Sequence, residues 1–244
     1  MALTITYKKK RYPKENSITL LTNLIKKNIN LLKIISSLYI LKDDYKKYSQ
    51  DSYKLRVQKA IKRGVISGYI NRDVGNKFYE LWIGISNEGI GEVLEQLISN
   101  IGPYKIGNFS RFNSSMQVKI DEIERKNDYD VVFFEDEYIG DSKEGNKILI
   151  DGFIEFHECK KNVCTFIPCD FSKDISSNRN YKQVYNKLEF MYDTYTKHTN
   201  GEFYIPTFFP MVDSQREFLN KYDNGKYSFI NILDIDQIRE SICG

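Results

Sequence analysis

The chain has 244 residues, 41% of them apolar, with 18 Tyr and 15 Phe, enough to bury the core of one large domain or two small ones. It contains no apolar run of about 18 residues, which argues against a membrane span. Its start, MALTITYKKKRYPKE, lacks the apolar stretch of a signal peptide, and four cysteines are too few for a disulfide scaffold. A cytoplasmic, reducing location is the expectation. The net charge of +3 conceals an asymmetry: residues 1–84 carry 18 Lys and Arg against 6 Asp and Glu, a net of +12, and the remainder carries 18 against 27, a net of −9. A basic first third is the electrostatic footprint of a chain that approaches nucleic acid, although a Lys-rich solubilising surface has the same composition.

In chain order, SITLLTNLIKKNINLLKIISSLYIL reads as one long helix or two short ones, with Ser17 as N-cap. DSYKLRVQKAIKRG predicts a helix that starts at Asp51 or Ser52 and ends at Gly64. Its apolar positions Leu55, Val57, Ala60 and Ile61 leave Lys54, Arg56, Lys59, Lys62 and Arg63 outward. VISGYINRDVGNKFYELWIGIS then predicts two strands around the turn-prone NRDVGN. Two helices, a basic helix and a hairpin over residues 17–87 resemble a winged helix-turn-helix. That resemblance implies that the helix over 51–63 enters the major groove of double-stranded DNA, with Arg72 and Lys77 of the wing on phosphates. Residues 1–86 are accordingly expected to form a mostly helical, DNA-binding region, or else a helical subdomain that only packs on the rest.

From residue 87 the pattern changes. NEGIGEVLEQLISNIG predicts an amphipathic helix with Glu88, Glu92 and Glu95, stopped at Gly102-Pro103. Strands are predicted around SMQVKIDEIE, in DYDVVFFED, in ILIDGFIEFHECKKN and in EFYIPTFFP, with a helix over NRNYKQVYNKLEFMYDTYTKH before the last of them. In FIEFHECKKN the strand face that carries Ile154 and Phe156 continues with Glu158 and Lys160. A carboxylate and an amine at the end of an apolar face cost stability unless both are used.

These residues, in this order, resemble the PD-(D/E)xK, or restriction-endonuclease-like, superfamily. Its signature is an acid at the start of one strand and Glu-x-Lys on the neighbouring one. NDYDVV supplies Asp130 and FHECKK supplies Glu158-Cys159-Lys160, 28 residues beyond it. The run is also similar to the NucC-type nucleases, in which an upstream Glu-Gly helix corresponds to Glu88-Gly89. The resemblance implies an α/β (α+β) fold with a mixed central sheet flanked by helices over residues 87–244. It also implies Mg²⁺-dependent hydrolysis of DNA phosphodiesters, with Mn²⁺ as a substitute.

A hard cation with octahedral oxygen ligands keeps several waters, so two carboxylates and a carbonyl suffice, here Asp130, Glu158 and the backbone of Cys159. Lys160 would orient water and offset charge on the phosphorane, and a lowered pKa would let it take up a proton. Glu88 or Glu92 would serve a second metal. Asp128 and Asp151 are rivals of Asp130, and a surface pair is the plainer reading of Glu158 and Lys160.

Zinc at His157, Cys159, Cys164 and Cys169 is disfavoured by the wide cysteine spacing. The expected function is a sequence-specific, homodimeric, type II restriction-type endonuclease. The alternatives are a non-specific NucC-like defence nuclease and a non-catalytic winged-helix DNA-binding protein.

Overall fold

A computed structural model describes residues 3–7, 16–40, 50–104, 109–120, 123–135, 138–141, 147–150, 152–169, 175–176, 181–198 and 200–243. Helices α1 (Ser17–Lys27) and α2 (Leu31–Ile40) come from the first apolar stretch, divided at Asn28, whose side-chain amide donates to the Leu24 carbonyl at 3.0 Å. Asn16, one residue before the expected cap, receives the Ile18 N–H on its side-chain oxygen. Helix α3 (Gln50–Ile66) runs past Gly64 and is followed by Gly68 at φ +70°, a left-handed turn that suits glycine.

The predicted wing is a helix. Residues 72–84 form α4 (Arg72–Gly84), with the Asn71 side chain accepting the Val74 N–H at 2.8 Å as its N-cap. Aromatic and β-branched residues there favour strands, but Val74, Phe78, Leu81 and Trp82 fall on one helical face, and burying that face decides the outcome. The Trp82 indole donates to the Tyr53 hydroxyl at 2.7 Å, which ties α4 to α3. A Cβ at Gly75 would lie 2.7 Å from the Ile61 side chain, so the glycine makes room for that side chain of α3. Arg72 and Lys77 therefore sit on an exposed helix face and not on a β-wing.

Helix α5 (Asn87–Ile101) is capped by Ser86, whose hydroxyl accepts the Gly89 N–H at 3.1 Å. The remaining elements are β1 (Leu3–Tyr7), β2 (Phe109–Ile120), β3 (Ile123–Glu135), β4 (Tyr138–Asp141), β5 (Lys147–Ile150), β6 (Ile154–His157), α6 (Lys182–Lys197), β7 (Gly201–Pro206), α7 (Asp213–Lys221), β8 (Ile230–Leu233) and α8 (Ile235–Cys243). The strands form one mixed, eight-stranded sheet in the order β4-β5-β1-β2-β3-β6-β7-β8. Pairing is antiparallel from β4 through β6 and parallel for β6-β7 and β7-β8. Parallel neighbours need a crossover, and α6 makes it between β6 and β7. Every residue of β6 is buried, as a strand covered on both faces requires. Phe156 stacks on Phe203 at 4.9 Å, with Tyr129 at 4.7 Å from Phe156 and 5.0 Å from Phe190 of α6.

The chain crosses the expected boundary between residues 86 and 87 in two places. Strand β1 is paired between β5 and β2, with Ile5 opposite both Val118 and Ile148. Helix α1 packs on α5, and one hydrophobic core runs from Leu21 to Ile238. The architecture is thus α+β, with the N-terminal helices laid on the same core as the sheet.

Candidate active site

The β3-β6 ladder pairs Val131 with His157 through Phe134 with Ile154. The next residues outward on the two strands are Asp130 and Glu158. Beyond β6 the chain stays extended along β7, with the Glu158 N–H donating to the Tyr204 carbonyl at 3.0 Å and the Lys160 N–H to the Pro206 carbonyl at 2.9 Å. The intervening N–H, of Cys159, points the other way and donates to the Asp130 carboxylate at 2.7 Å. Asp130, Glu158, Cys159 and Lys160 are therefore gathered by backbone geometry alone, at the end of a buried strand pair.

Side chains complete the cluster. The Lys160 amine donates to Oε1 of Glu158. On the other oxygen, Lys187 of α6 makes an ion pair at 2.6 Å, and its amine also donates to the Asp128 carbonyl. The Glu158 side chain is only 6% exposed, against 29% for Lys160. A surface pair, the plainer reading, would be solvated on both sides, and this one is solvated only at the lysine.

Asp130 keeps some exposed surface, yet protein atoms crowd its carboxyl. Burial, then the negative charge of Glu158, push its pKa up to about 8, with Glu95 adding to the rise and Lys160 and Lys187 opposing it. Burial alone would also disfavour the Lys160 ammonium, but the charges of Glu158 and Asp130 outweigh it and hold the amine above its ordinary value. Without a bound cation Lys160 is therefore a cationic donor. The Cys159 thiol is pushed well above its usual value, burial first, which leaves the backbone as that residue's contribution.

The raised Asp130 value has a measurable consequence. A carboxyl whose folded-state pKa exceeds its unfolded value binds a proton on folding between the two, so stability falls as pH rises from about 4 to about 8. Asp130→Asn removes that dependence and keeps an oxygen for the Cys159 N–H. With divalent cations chelated, the variant is expected to be more stable than the parent by about 2 to 5 kcal/mol at pH 8 and nearly equal to it at pH 4. Urea unfolding at the two pH values checks this, and parallel pH profiles for the two proteins would contradict it.

Glu88 neighbours the chain just past Lys160. It is exposed in the first turn of α5, and its charge acts on Lys161, whose amine donates to the Asn87 carbonyl at 2.6 Å. Glu95, two turns further along the same helix, is the α5 acid whose charge reaches Asp130 and Cys159. Asp128 takes part through its carbonyl, and Asp151 lies outside the described residues.

Lys187 was not singled out from sequence. The available signal was a lysine within the apolar stripe Val184, Leu188 and Met191 of an amphipathic helix, where a charge is rarely buried unless paired. Of the expected DNA contacts, Lys59, Lys62, Arg63, Arg72 and Lys77 are exposed, while Lys54 and Arg56 are half-buried.

His157 is fully buried, 3.2 Å from the Glu155 carboxylate and stacked on Tyr204, and burial lowers its pKa. Cys164 and Cys169 both accept from the Gln215 amide, at 3.4 and 2.7 Å. Among the described residues, no three His, Cys, Asp or Glu side chains gather to hold a metal. The Asp130–Glu158 pair offers two. Hard oxygen donors, a hydrogen-bonded backbone beside them and a carboxyl whose charge is disfavoured despite two lysines fit a small divalent cation, which would relieve that disfavour.

No helix among the described residues is long and apolar enough to cross a membrane. No protein-family model matches the chain, and no curated protein does. Among solved structures, the chain is similar to Can2 from Sulfobacillus thermosulfidooxidans in complex with cyclic tetra-adenylate, at 13% identity and a TM-score of 0.40. That match covers 95% of this chain and spans 56% of the other's length, and at this level of similarity it carries no argument about activity.

Proposed function

We propose that this protein is a Mg²⁺-dependent DNA endonuclease of the restriction-endonuclease-like class, with its site at Asp130, Glu158 and Lys160. One observation carries the reading: two buried carboxylates and a cationic lysine converge where β3 and β6 part, with the Cys159 backbone N–H holding Asp130. Asp130 and Glu158 would hold the cation, with Mn²⁺ as a substitute. The Cys159 carbonyl would be the third protein ligand. When bound, the cation supplies a Lewis acid for the scissile phosphate and an activated water. Lys160, held charged by its acidic neighbours, donates to the phosphate oxygen on which negative charge grows.

A non-catalytic DNA-binding protein has no use for this cluster, whose burial costs stability without a compensating role. Cutting both strands of a duplex calls for two such sites, hence a homodimer. With the wing replaced by α4, sequence-specific cutting would rest on α3 as the reader.

Purified protein incubated with plasmid DNA is expected to cut it with Mg²⁺ or Mn²⁺ and to leave it intact with EDTA. Discrete bands support a restriction-type enzyme, and a smear supports the non-specific, NucC-like version. Cutting that persists in EDTA, or no cutting of any DNA with either metal, would overturn the reading.

A further inference from the structure

Lys187 has no part in the chemistry above, yet it is among the most enclosed charges in the molecule. The residue is 8% exposed, on a stripe of α6 that Val184, Leu188 and Met191 otherwise make apolar. A leucine at this position would pack without any need for a polar partner, so the lysine is a costly choice unless its charge is used. Its amine donates a hydrogen bond to the Asp128 carbonyl and makes an ion pair, not aligned as a hydrogen bond, with Oε2 of Glu158 at 2.6 Å, and it lies 5.4 Å from the ring centroids of Tyr129 and Phe190.

Both oxygens of Glu158 are therefore paired with lysines of unlike exposure. The Lys160 side chain is 29% exposed at the end of an extended segment, whereas that of Lys187 is 10% exposed and fixed between a helix and a carbonyl. A phosphate or cation arriving at the site can draw Lys160 aside. Lys187 is enclosed by α6 and the Asp128 carbonyl.

We propose that Lys187 is the resident counter-charge of Glu158: it holds the carboxylate in position in the metal-free protein and competes with a divalent cation for Oε2, so that it sets how tightly the site binds metal. The inference rests on the reading of Asp130 and Glu158 as metal ligands. It makes Lys187 a positioning residue, distinct from Lys160, which faces the substrate. Taking one positive charge away from beside the metal site strengthens cation binding, because the two repel in a poorly solvated environment. Taking it away also leaves a buried carboxylate oxygen unpaired, which weakens the metal-free fold. The two effects have opposite signs and are separable.

The test uses the full chain and reads thermal unfolding and calorimetric Mn²⁺ binding, with no activity measurement. Lys187→Met keeps the stem and removes the charge, and it is expected to lower the metal-free Tm. Mn²⁺ is then expected to raise the Tm of the variant more than that of the parent, with a Kd about tenfold lower. Lys187→Arg, which retains a charge, is expected to behave as the parent does. An Mn²⁺ shift in Lys187→Met equal to or smaller than the parent's would overturn the inference and leave the metal site standing. A parent protein that shows no Mn²⁺ shift, or the same shift as Glu158→Gln, would remove the metal site and this inference with it. If Lys187→Met does not fold alone, pairing it with Glu158→Gln deletes both charges and is expected to restore folding. Failure of that pair and of Mn²⁺ to rescue the chain would assign Lys187 to packing only and overturn the proposal.

Discussion

Lys160→Ala is expected to lower the rate of DNA cleavage by about 10²-fold or more at saturating Mg²⁺, with DNA binding little changed. The amine touches Glu158 in the resting protein and is the cationic donor of the cluster nearest to solvent, the place from which a phosphate approaches. What is lost is therefore a contact that strengthens as charge builds on the transferring phosphate, which depresses the rate more than the affinity. A modest loss of stability, about 1 to 2 kcal/mol, is expected as well, because Oε1 of the nearly buried Glu158 loses its partner while Lys187 keeps Oε2 paired. Glu158→Gln and Asp130→Asn are expected to abolish cutting to a similar extent. Combining either with Lys160→Ala should cost little more than a single change, because groups that act on one phosphate fail together. Single-turnover cleavage of a plasmid measures all of these, and a Lys160→Ala protein that cuts at the parental rate would refute the site.

The parts of this site that could be read in the sequence are those that backbone geometry makes local. Strand alternation puts Glu158 and Lys160 on one face of β6 and its extension, and the polar entry to Val131-Val132 marks Asp130. The amphipathic helices α5 and α6 are legible for the same reason, since their periodicity is a property of consecutive residues. What was missed depends on which elements meet. Glu88 and Glu95 share a face of α5 two turns apart, and only the docking of that helix decides which one reaches Asp130. Lys187 is one lysine among many until α6 is laid across β6. Strand β1 is only the five residues LTITY, whose alternation is a short strand signal, and its partners lie more than a hundred residues away, so its place in the sheet could not be read locally. The error at α4 has another origin. Phe78, Tyr79, Trp82 and Ile83 have strong strand preference, and NRDVGN looks like a turn, but in the fold Asn71 caps a helix and the aromatic face closes over α3.

Loss of the wing concentrates the expected DNA contacts on α3, and this yields the second large effect. Lys59, Lys62 and Arg63 stand three and four residues apart on one exposed face of that helix, and among the described residues no carboxylate neutralises them. Lys77 on α4 differs, because Glu80 lies 3.6 Å from it and offsets its charge. Each phosphate contact contributes a slope of about 0.9 in the logarithm of affinity against the logarithm of salt. Replacing Lys59, Lys62 and Arg63 together by Gln should therefore flatten that slope by about 2 to 3. At about 0.1 M salt the same loss corresponds to a 10²- to 10³-fold weaker Kd for a short duplex. All three side chains are exposed, so folding stability should change by no more than about 0.5 kcal/mol, which separates lost contacts from a damaged fold. Lys77→Gln, as the comparison, should reduce affinity by less than any one of the three. Fluorescence anisotropy over a salt series reads slope and affinity together. If the triple variant keeps the parental slope, α3 is not the DNA-binding face, and its charge serves only to solvate the helix.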